Sequence, residues 1–308
     1  MASQGAAAQP YSVPIDHDGF VERRFSAPDG LTLSARIYGE HIGGMPVVCL
    51  PGLTRNARDF HDLAVHLSRD ARPPRKVVAF DYRGRGRSVY DPNWKNYDLV
   101  IEAGDVLAGL TALGIEHAGF IGTSRGGLII FLLAAMRPSA LRAVVLNDIG
   151  PVIEGAGLAQ IRAYLERAPT ASSFDEAAKI LNAAHGAAFP ALVEADWARM
   201  AYAIYRQDGG KLRPDFDPNL MKTLKSIDLS APLPVFWPQF RGLGAVPVLA
   251  IRGETSMLLS RETLAEMRKR HGNIETITVA GQGHAPMLET GDLPKRIEAF
   301  LEKVGLSR

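Results

Sequence analysis

Six short apolar runs, each ending at a glycine or a polar residue, alternate along this chain with longer segments of helical period. The runs are PVVCLPG (46–52), KVVAFDYRG (76–84), AGFIGTS (118–124), LRAVVLND (141–148), PVLAIRG (247–253) and IETITVAG (274–281). Nearly continuous apolar runs of this kind are what parallel strands look like when both faces of their sheet are covered. Helical period occupies 60–68, 99–113, 127–136, 261–271 and 292–304. Ahead of them, VERRFSAPDGLTLSARIYG (21–39) offers two alternating strands around a Pro-Asp-Gly turn, a hairpin signal. The pattern predicts an α/β fold in which an antiparallel N-terminal pair feeds a mostly parallel sheet flanked by helices.

The rhythm breaks after Gly150. Residues 151–241 show no strand pattern but several helical ones, such as LAQIRAYLERA, FDEAAKILNAAH and PALVEADWARMAYAIYRQ, so this stretch reads as a helical cap inserted between two neighbouring strands. The core is then 21–150 together with 242–308, and 1–20 is a flexible leader. Aromatic residues at helical spacing serve either as cap core or as pocket lining. Trp197 and Trp237 are the pocket candidates.

Composition narrows the partners. Thirty-five basic against 33 acidic side chains leave a formal charge of +2, which gives no electrostatic footprint for nucleic acid or an anionic membrane. No apolar stretch is long enough to span a bilayer, and the N-terminus lacks the basic and apolar regions of a signal peptide, so the cytoplasm is the default location. A small, neutral or weakly charged molecule is the expected partner, and a homo-oligomer is compatible with the sequence. The single cysteine, Cys49, excludes a disulfide framework and reads as a small core side chain. No cluster has metal-ligand spacing. No G-x-G-x-x-G opens a helix after the first parallel strand, so neither a metal nor a dinucleotide cofactor is expected.

Chemistry gathers around IGTSRGGL (121–128). GTSRG fits G-x-S-x-G, in which the serine occupies a cramped strand-to-helix turn and the flanking glycines let the helix cross close to the strand. AGFI before it is a buried strand; GLIIFLLAAM after it is a helix whose N-terminal amides can stabilise an oxyanion. Ser124 is therefore the candidate nucleophile. A serine hydroxyl needs a base, and His284, in GQGHAPML after the last strand, stands where parallel sheets place their chemistry. His61, His66, His117 and His271 fall on helical or loop faces and read as solvent-exposed.

LPGLTRNARDF, DYRGRGRS, GTSRGG, LNDIGP, RGETSMLLS and GQGHAPMLE together resemble the α/β-hydrolase fold superfamily along nearly the whole chain after Val21. They look most like its bacterial esterase and lactonase-like members with a helical cap. The resemblance implies two oxyanion donors, the backbone N–H groups of Leu53 and Arg125. Pro51 replaces the histidine usual before Gly52, a change that a backbone donor tolerates, and Arg55 and Asn56 are placed to line the pocket floor. It also implies that Asp81 and Arg83 brace loops near the nucleophile.

The departure is in the acid. Relatives commonly carry aspartate in the loop after the seventh strand, where this chain has Met257, and methionine cannot orient a histidine. Asp148, at the end of the preceding strand, is the favoured replacement, since some superfamily members, haloalkane dehalogenases among them, take their acid from that strand end. Glu254 is the alternative, and a histidine with no carboxylate partner is the third case. Asp148 also has a plainer reading as an N-cap or loop-orienting aspartate beside Gly150-Pro151. The resemblance thus implies a serine hydrolase acting on a small carboxylic ester or lactone. The alternatives are a carbon–carbon bond hydrolase with the same Ser and His, or a low-turnover ligand-binding protein on the same fold.

Overall fold

The computed structural model describes residues 19–166 and 170–306; residues 1–18 of the expected leader lie outside the described residues. In chain order it runs β1 (Phe20–Ser26), β2 (Thr32–Tyr38), β3 (Val47–Leu50), α1 (His61–Val65), β4 (Val77–Asp81), α2 (Leu99–Ala112), β5 (Ala118–Thr123), α3 (Arg125–Met136) and β6 (Leu141–Asn147). Between β6 and β9 come α4 (Gly155–Glu166), α5 (Phe174–His185), α6 (Glu194–Ile204), β7 (Tyr205–Asp208), β8 (Lys211–Pro214), α7 (Leu220–Lys225) and α8 (Trp237–Arg241). The chain then closes with β9 (Val248–Gly253), α9 (Arg261–Arg270), β10 (Ile274–Val279) and α10 (Leu293–Leu306).

Eight strands form one sheet in the order β1-β2-β4-β3-β5-β6-β9-β10. The β1–β2 and β2–β4 pairs are antiparallel and all others parallel. Every residue of β3, β4 and β9 is buried, because helices cover both faces there. One face packs with α2, α3 and α9, the other with α1 and α10. Cys49 is fully buried in β3, and burial pushes its thiol well above the ordinary range.

Three expectations need correction. The stretch 60–68 is not one regular helix: a 3₁₀ turn (Ala57–Phe60) leads into α1 and then a π turn (His66–Asp70). The segment 151–241 is not purely helical, since β7 and β8 form a hairpin whose loop residues Gly209 and Gly210 have φ of 56° and 77°. That is the backbone demanded by a two-residue type I′ turn, which Asp-Gly-Gly supplies. Finally, His61 and His271 are buried: His61 Nδ1 lies 3.0 Å from the Tyr38 hydroxyl, and His271 Nε2 lies 3.0 Å from the Leu243 carbonyl oxygen. Each ring carries polar atoms that are bonded inside the core, which a helical-face pattern does not reveal.

The crossing of α3 over β3 and β5 sets the site. A Cβ on Gly126 would stand 2.0 Å from the Leu50 carbonyl oxygen, and one on Gly122 would stand 2.6 Å from the Gly126 carbonyl carbon. Both obstacles are backbone, so no side-chain rotation relieves them. Gly126→Ala is therefore expected to cost about 3 kcal/mol or more by overpacking. Gly104→Ala, inside α2 with nothing within 4 Å of the added methyl, should instead gain about 0.5–1 kcal/mol from helix propensity. Urea denaturation of the two variants checks the contrast.

Candidate active site

Ser124 stands between β5 and α3 with φ 51° and ψ −113°. Such angles are strained for a residue with a Cβ, and this turn holds the side chain above the carboxyl ends of the parallel strands. Its Oγ lies 2.9 Å from His284 Nε2, and His284 Nδ1 lies 2.8 Å from Asp148 Oδ2. Asp148 is fully buried just past β6 and also has positive φ, 54°. It caps no helix.

An ionised carboxylate in that position costs several kcal/mol unless its lone pairs are filled. Three donors fill them. The Gly253 N–H donates to Oδ1 at 2.7 Å, the Ser256 hydroxyl donates to Oδ2 at 2.5 Å, and His284 faces Oδ2 as well. Asn147 ties the neighbouring ends together, its Nδ2 donating to Thr123 Oγ1 and to the Pro286 carbonyl. Gln282 braces the histidine loop by accepting from the Met287 N–H.

A family model described as the alpha/beta hydrolase fold matches residues 45–290. The chain belongs to the α/β-hydrolase fold family. Among curated relatives, it is 32% identical to a 3-hydroxybutyrate-oligomer hydrolase of Cupriavidus necator, over 87% of this chain and 92% of that one. It is 29% identical to a 2-(acetamidomethylene)succinate hydrolase of Mesorhizobium japonicum, over 88% and 91%. Among solved structures, an α/β hydrolase from Novosphingobium aromaticivorans superposes with TM-score 0.85 at 37% identity, covering 92% of this chain and 98% of that chain.

In this α/β-hydrolase the Glu254 side chain does not meet the histidine. It accepts the Gly281 N–H at 2.8 Å instead, so the alternative acid is occupied by a loop contact. Met257 is exposed at the cavity rim, while its neighbour Ser256 bonds Asp148. Sequence reasoning passed over Ser256, Asn147 and Gln282. Each lies inside a quoted motif, but Ser256 and Asn147 act through partners on other segments and Gln282 through the fold of its own loop, which the motif spacing does not reveal.

Leu53 and Arg125 line the cavity together with Ser124, and a Cβ on Gly52 would lie 3.9 Å from the Ser124 Cβ. Among the described residues neither the Leu53 nor the Arg125 backbone N–H has a protein acceptor. Asp81 accepts from the Ala57 and Arg87 N–H groups, which secures the loop after β3, and Arg83 is bonded to Asp29, Asp91 and Asp105. Arg55 lines the cavity, whereas Asn56 does not and caps the following 3₁₀ turn. Of the RGRGR cluster, Arg83 and Arg85 are buried.

The cavity above Ser124 measures about 560 Å³. Its walls are largely apolar, with Leu128, Ile149, Ile161, Leu224 and Phe236 among them, and one part is polar, carrying the Arg55–Asp59 and Arg199–Glu289 pairs and the Tyr164 and His185 rings. Neither Trp197 nor Trp237 lines it, a correction to the pocket assignment. Trp197 is buried in the packing of α5 and α6 against Phe189. Trp237 packs on Phe240 with Arg270 over its ring at 4.2 Å. Aromatic spacing alone does not distinguish these packing roles from a pocket role.

His185 at the polar part lies edge-on to Tyr164, ring centroids 4.2 Å apart. Burial, then the nearby Arg55 charge, hold its imidazole below the ordinary 6.5. Between the lowered folded value and 6.5 the unfolded chain binds a proton that the folded chain refuses, so stability is fully present above that window and falls as pH drops through it. Urea midpoints measured from about pH 8 to about pH 5 should fall more steeply for wild type than for His185→Phe. Equal slopes would assign the acid loss to other groups.

Proposed function

We propose that this chain is a serine hydrolase that cleaves a small carboxylic ester or lactone through an acyl-enzyme. The observation that carries this reading is the unbroken hydrogen-bonded row Ser124–His284–Asp148 at a largely apolar cavity. In this reading Ser124 Oγ attacks the ester carbonyl while His284 Nε2 takes its proton. Asp148 holds the imidazole in the tautomer that presents Nε2 as acceptor and balances the imidazolium. The Leu53 and Arg125 N–H groups receive the oxyanion. His284 then returns the proton to the departing alkoxide, and a water attacks the acyl-enzyme by the reverse route, releasing the acid and restoring Ser124.

A carboxylate partner for His284 in spite of Met257 supports turnover over a mere ligand-binding role. The relative named for hydroxybutyrate oligomers supports an ester of a hydroxy acid as the substrate class. A cavity of about 560 Å³ is in the range that takes a substrate larger than one short acyl group. We further propose that residues 151–241 act as the cap that shapes this cavity.

Fluorophosphonate labelling with peptide mapping tests the assignment. The label is expected on Ser124 and absent in Ser124→Ala, which should also lose ester turnover while staying folded. Asp148→Asn should lower kcat by about 10⁴, the loss seen when a protease triad loses its aspartate, and Glu254→Gln should stay near wild type. A label on Ser88 or Ser256, or turnover surviving Ser124→Ala, would sink the reading.

Chain-length selectivity tests the wall. Phe236→Ala should raise kcat/KM for long relative to short acyl esters, each accommodated methylene being worth about 1 kcal/mol or more. Trp197→Phe and Trp237→Phe should leave the ratio unchanged.

A further inference from the structure

Close to the nucleophile lies a carboxylate that the proposed reaction does not use. Glu102, on α2, is fully buried; its Oε1 accepts from Arg85 Nη1 and its Oε2 from Arg125 Nε, each at 2.6 Å. Arg85 is also fully buried, and its Nε donates to the Leu53 carbonyl at 2.8 Å while Nη1 reaches the Arg83 carbonyl at 2.7 Å. Arg125 Nη2 donates to the Tyr97 carbonyl at 3.1 Å. Burial pushes the Glu102 carboxyl up, but the Arg125 and Arg85 charges more than offset this and hold it below the usual carboxylate range.

One carboxylate therefore joins two residues from distant parts of the sequence, Leu53 after β3 and Arg125 at the start of α3. These are the two residues whose backbone N–H groups were assigned to the oxyanion. Stability is a poor explanation for such a cluster, since buried ionic groups exchanged for packed apolar ones are often neutral or stabilising. Geometry is a better one, because an oxyanion donor is useful only at about 2.7–3.1 Å from the oxygen.

We infer that Glu102 is a positioning residue for the oxyanion hole, setting the spacing of the Leu53 and Arg125 N–H groups through the Arg85 and Arg125 guanidinium groups. The inference rests on the serine-hydrolase reading. Glu102 touches no substrate; it fixes the separation of two donors that the tetrahedral intermediate must meet together. Losing one such donor costs about 10²–10³ in kcat, and a 1 Å misplacement costs about 10².

Glu102→Asp keeps the charge but shortens the reach by one C–C bond, about 1.5 Å, so it cannot hold both arginines in place. With para-nitrophenyl butyrate as substrate, kcat should fall about 100-fold while KM stays within about threefold. Phenylboronic acid, which forms a tetrahedral adduct on the serine, should lose affinity by the same factor, and butyrate, which forms none, should bind as before. Arg125→Lys keeps the backbone N–H and the charge but loses the planar fork; if Glu102→Asp does not fold, this variant answers alone by the same measurements. A folded variant with kcat and boronic acid affinity within threefold of wild type overturns the inference, as does an equal loss of butyrate and boronic acid binding. Fluorophosphonate labelling of the wild type is run alongside. Failure to label Ser124 there overturns the serine-hydrolase reading itself, whereas normal labelling with an unaffected Glu102→Asp overturns only the role of Glu102.

Discussion

The contact between the Gly126 backbone and the Leu50 carbonyl is the constraint on which the rest of this structure depends. It allows α3 to cross β3 and β5 without the width of a side chain between them. The turn at Ser124 is forced into strained angles as a result, and strain of that kind persists only where the surroundings over-determine it. Here they are two parallel strands, a buried helix and the Asn147 carbonyl, which accepts the Ser124 N–H at 3.0 Å. The position of the half-buried Ser124 hydroxyl at the carboxyl edge of the sheet follows from that packing.

Charge is distributed around this edge by a consistent rule. Asp148, Glu102 and Asp81 are all buried, and each has its oxygens met by donors from other segments. Hydrogen bonds to charged groups contribute about 1.5–3 kcal/mol each, which works against desolvation, although at Asp81 burial outweighs its two backbone donors and pushes the carboxyl up. Each cluster also spans segments far apart in the chain and so ties their loops to one another. The residues between β6 and β9 are joined to the loops after β3 and β4 in the same polar manner: Arg58 pairs with Asp215 at 2.8 Å, Asn56 donates to the Ala203 carbonyl, and the Tyr97 hydroxyl donates to Asp217.

On the proposed serine-hydrolase reading, chemistry and selectivity come from different parts of the chain. The sheet edge supplies Ser124, Asp148 and His284, and the segment between β6 and β9 supplies much of the apolar wall and part of the polar patch. Relatives on the same fold carry names for different substrates, as expected where a shared scaffold holds the reacting groups and an insertion shapes the cavity.

What the sequence determined by itself was whatever has a local cause. Apolar runs mark parallel strands because burial on both faces leaves no place for alternation. The G-x-S-x-G spacing marks the elbow, and the steric conflict at Gly122 lies within a few residues, whereas that at Gly126 is with Leu50 on another strand. The Pro-Asp-Gly turn marks the first hairpin, and Asp-Gly-Gly carried an equally local signal for the second, outweighed by the helical patterns around it. Tertiary structure decided the matters that depend on register and on distance in space. Asp148 and Glu254 both follow strand ends, and only the pairing of β6 with β9, which brings the Gly253 N–H and Ser256 to Asp148, separates the residue that faces His284 from the one that turns to Gly281. Trp197 and Trp237 have the same composition-level signal as a pocket aromatic, and packing alone sends them elsewhere. Glu102 looks like an ordinary helix residue until α2 is set against α3, because a buried ion cluster is defined by partners that no spacing along the chain encodes.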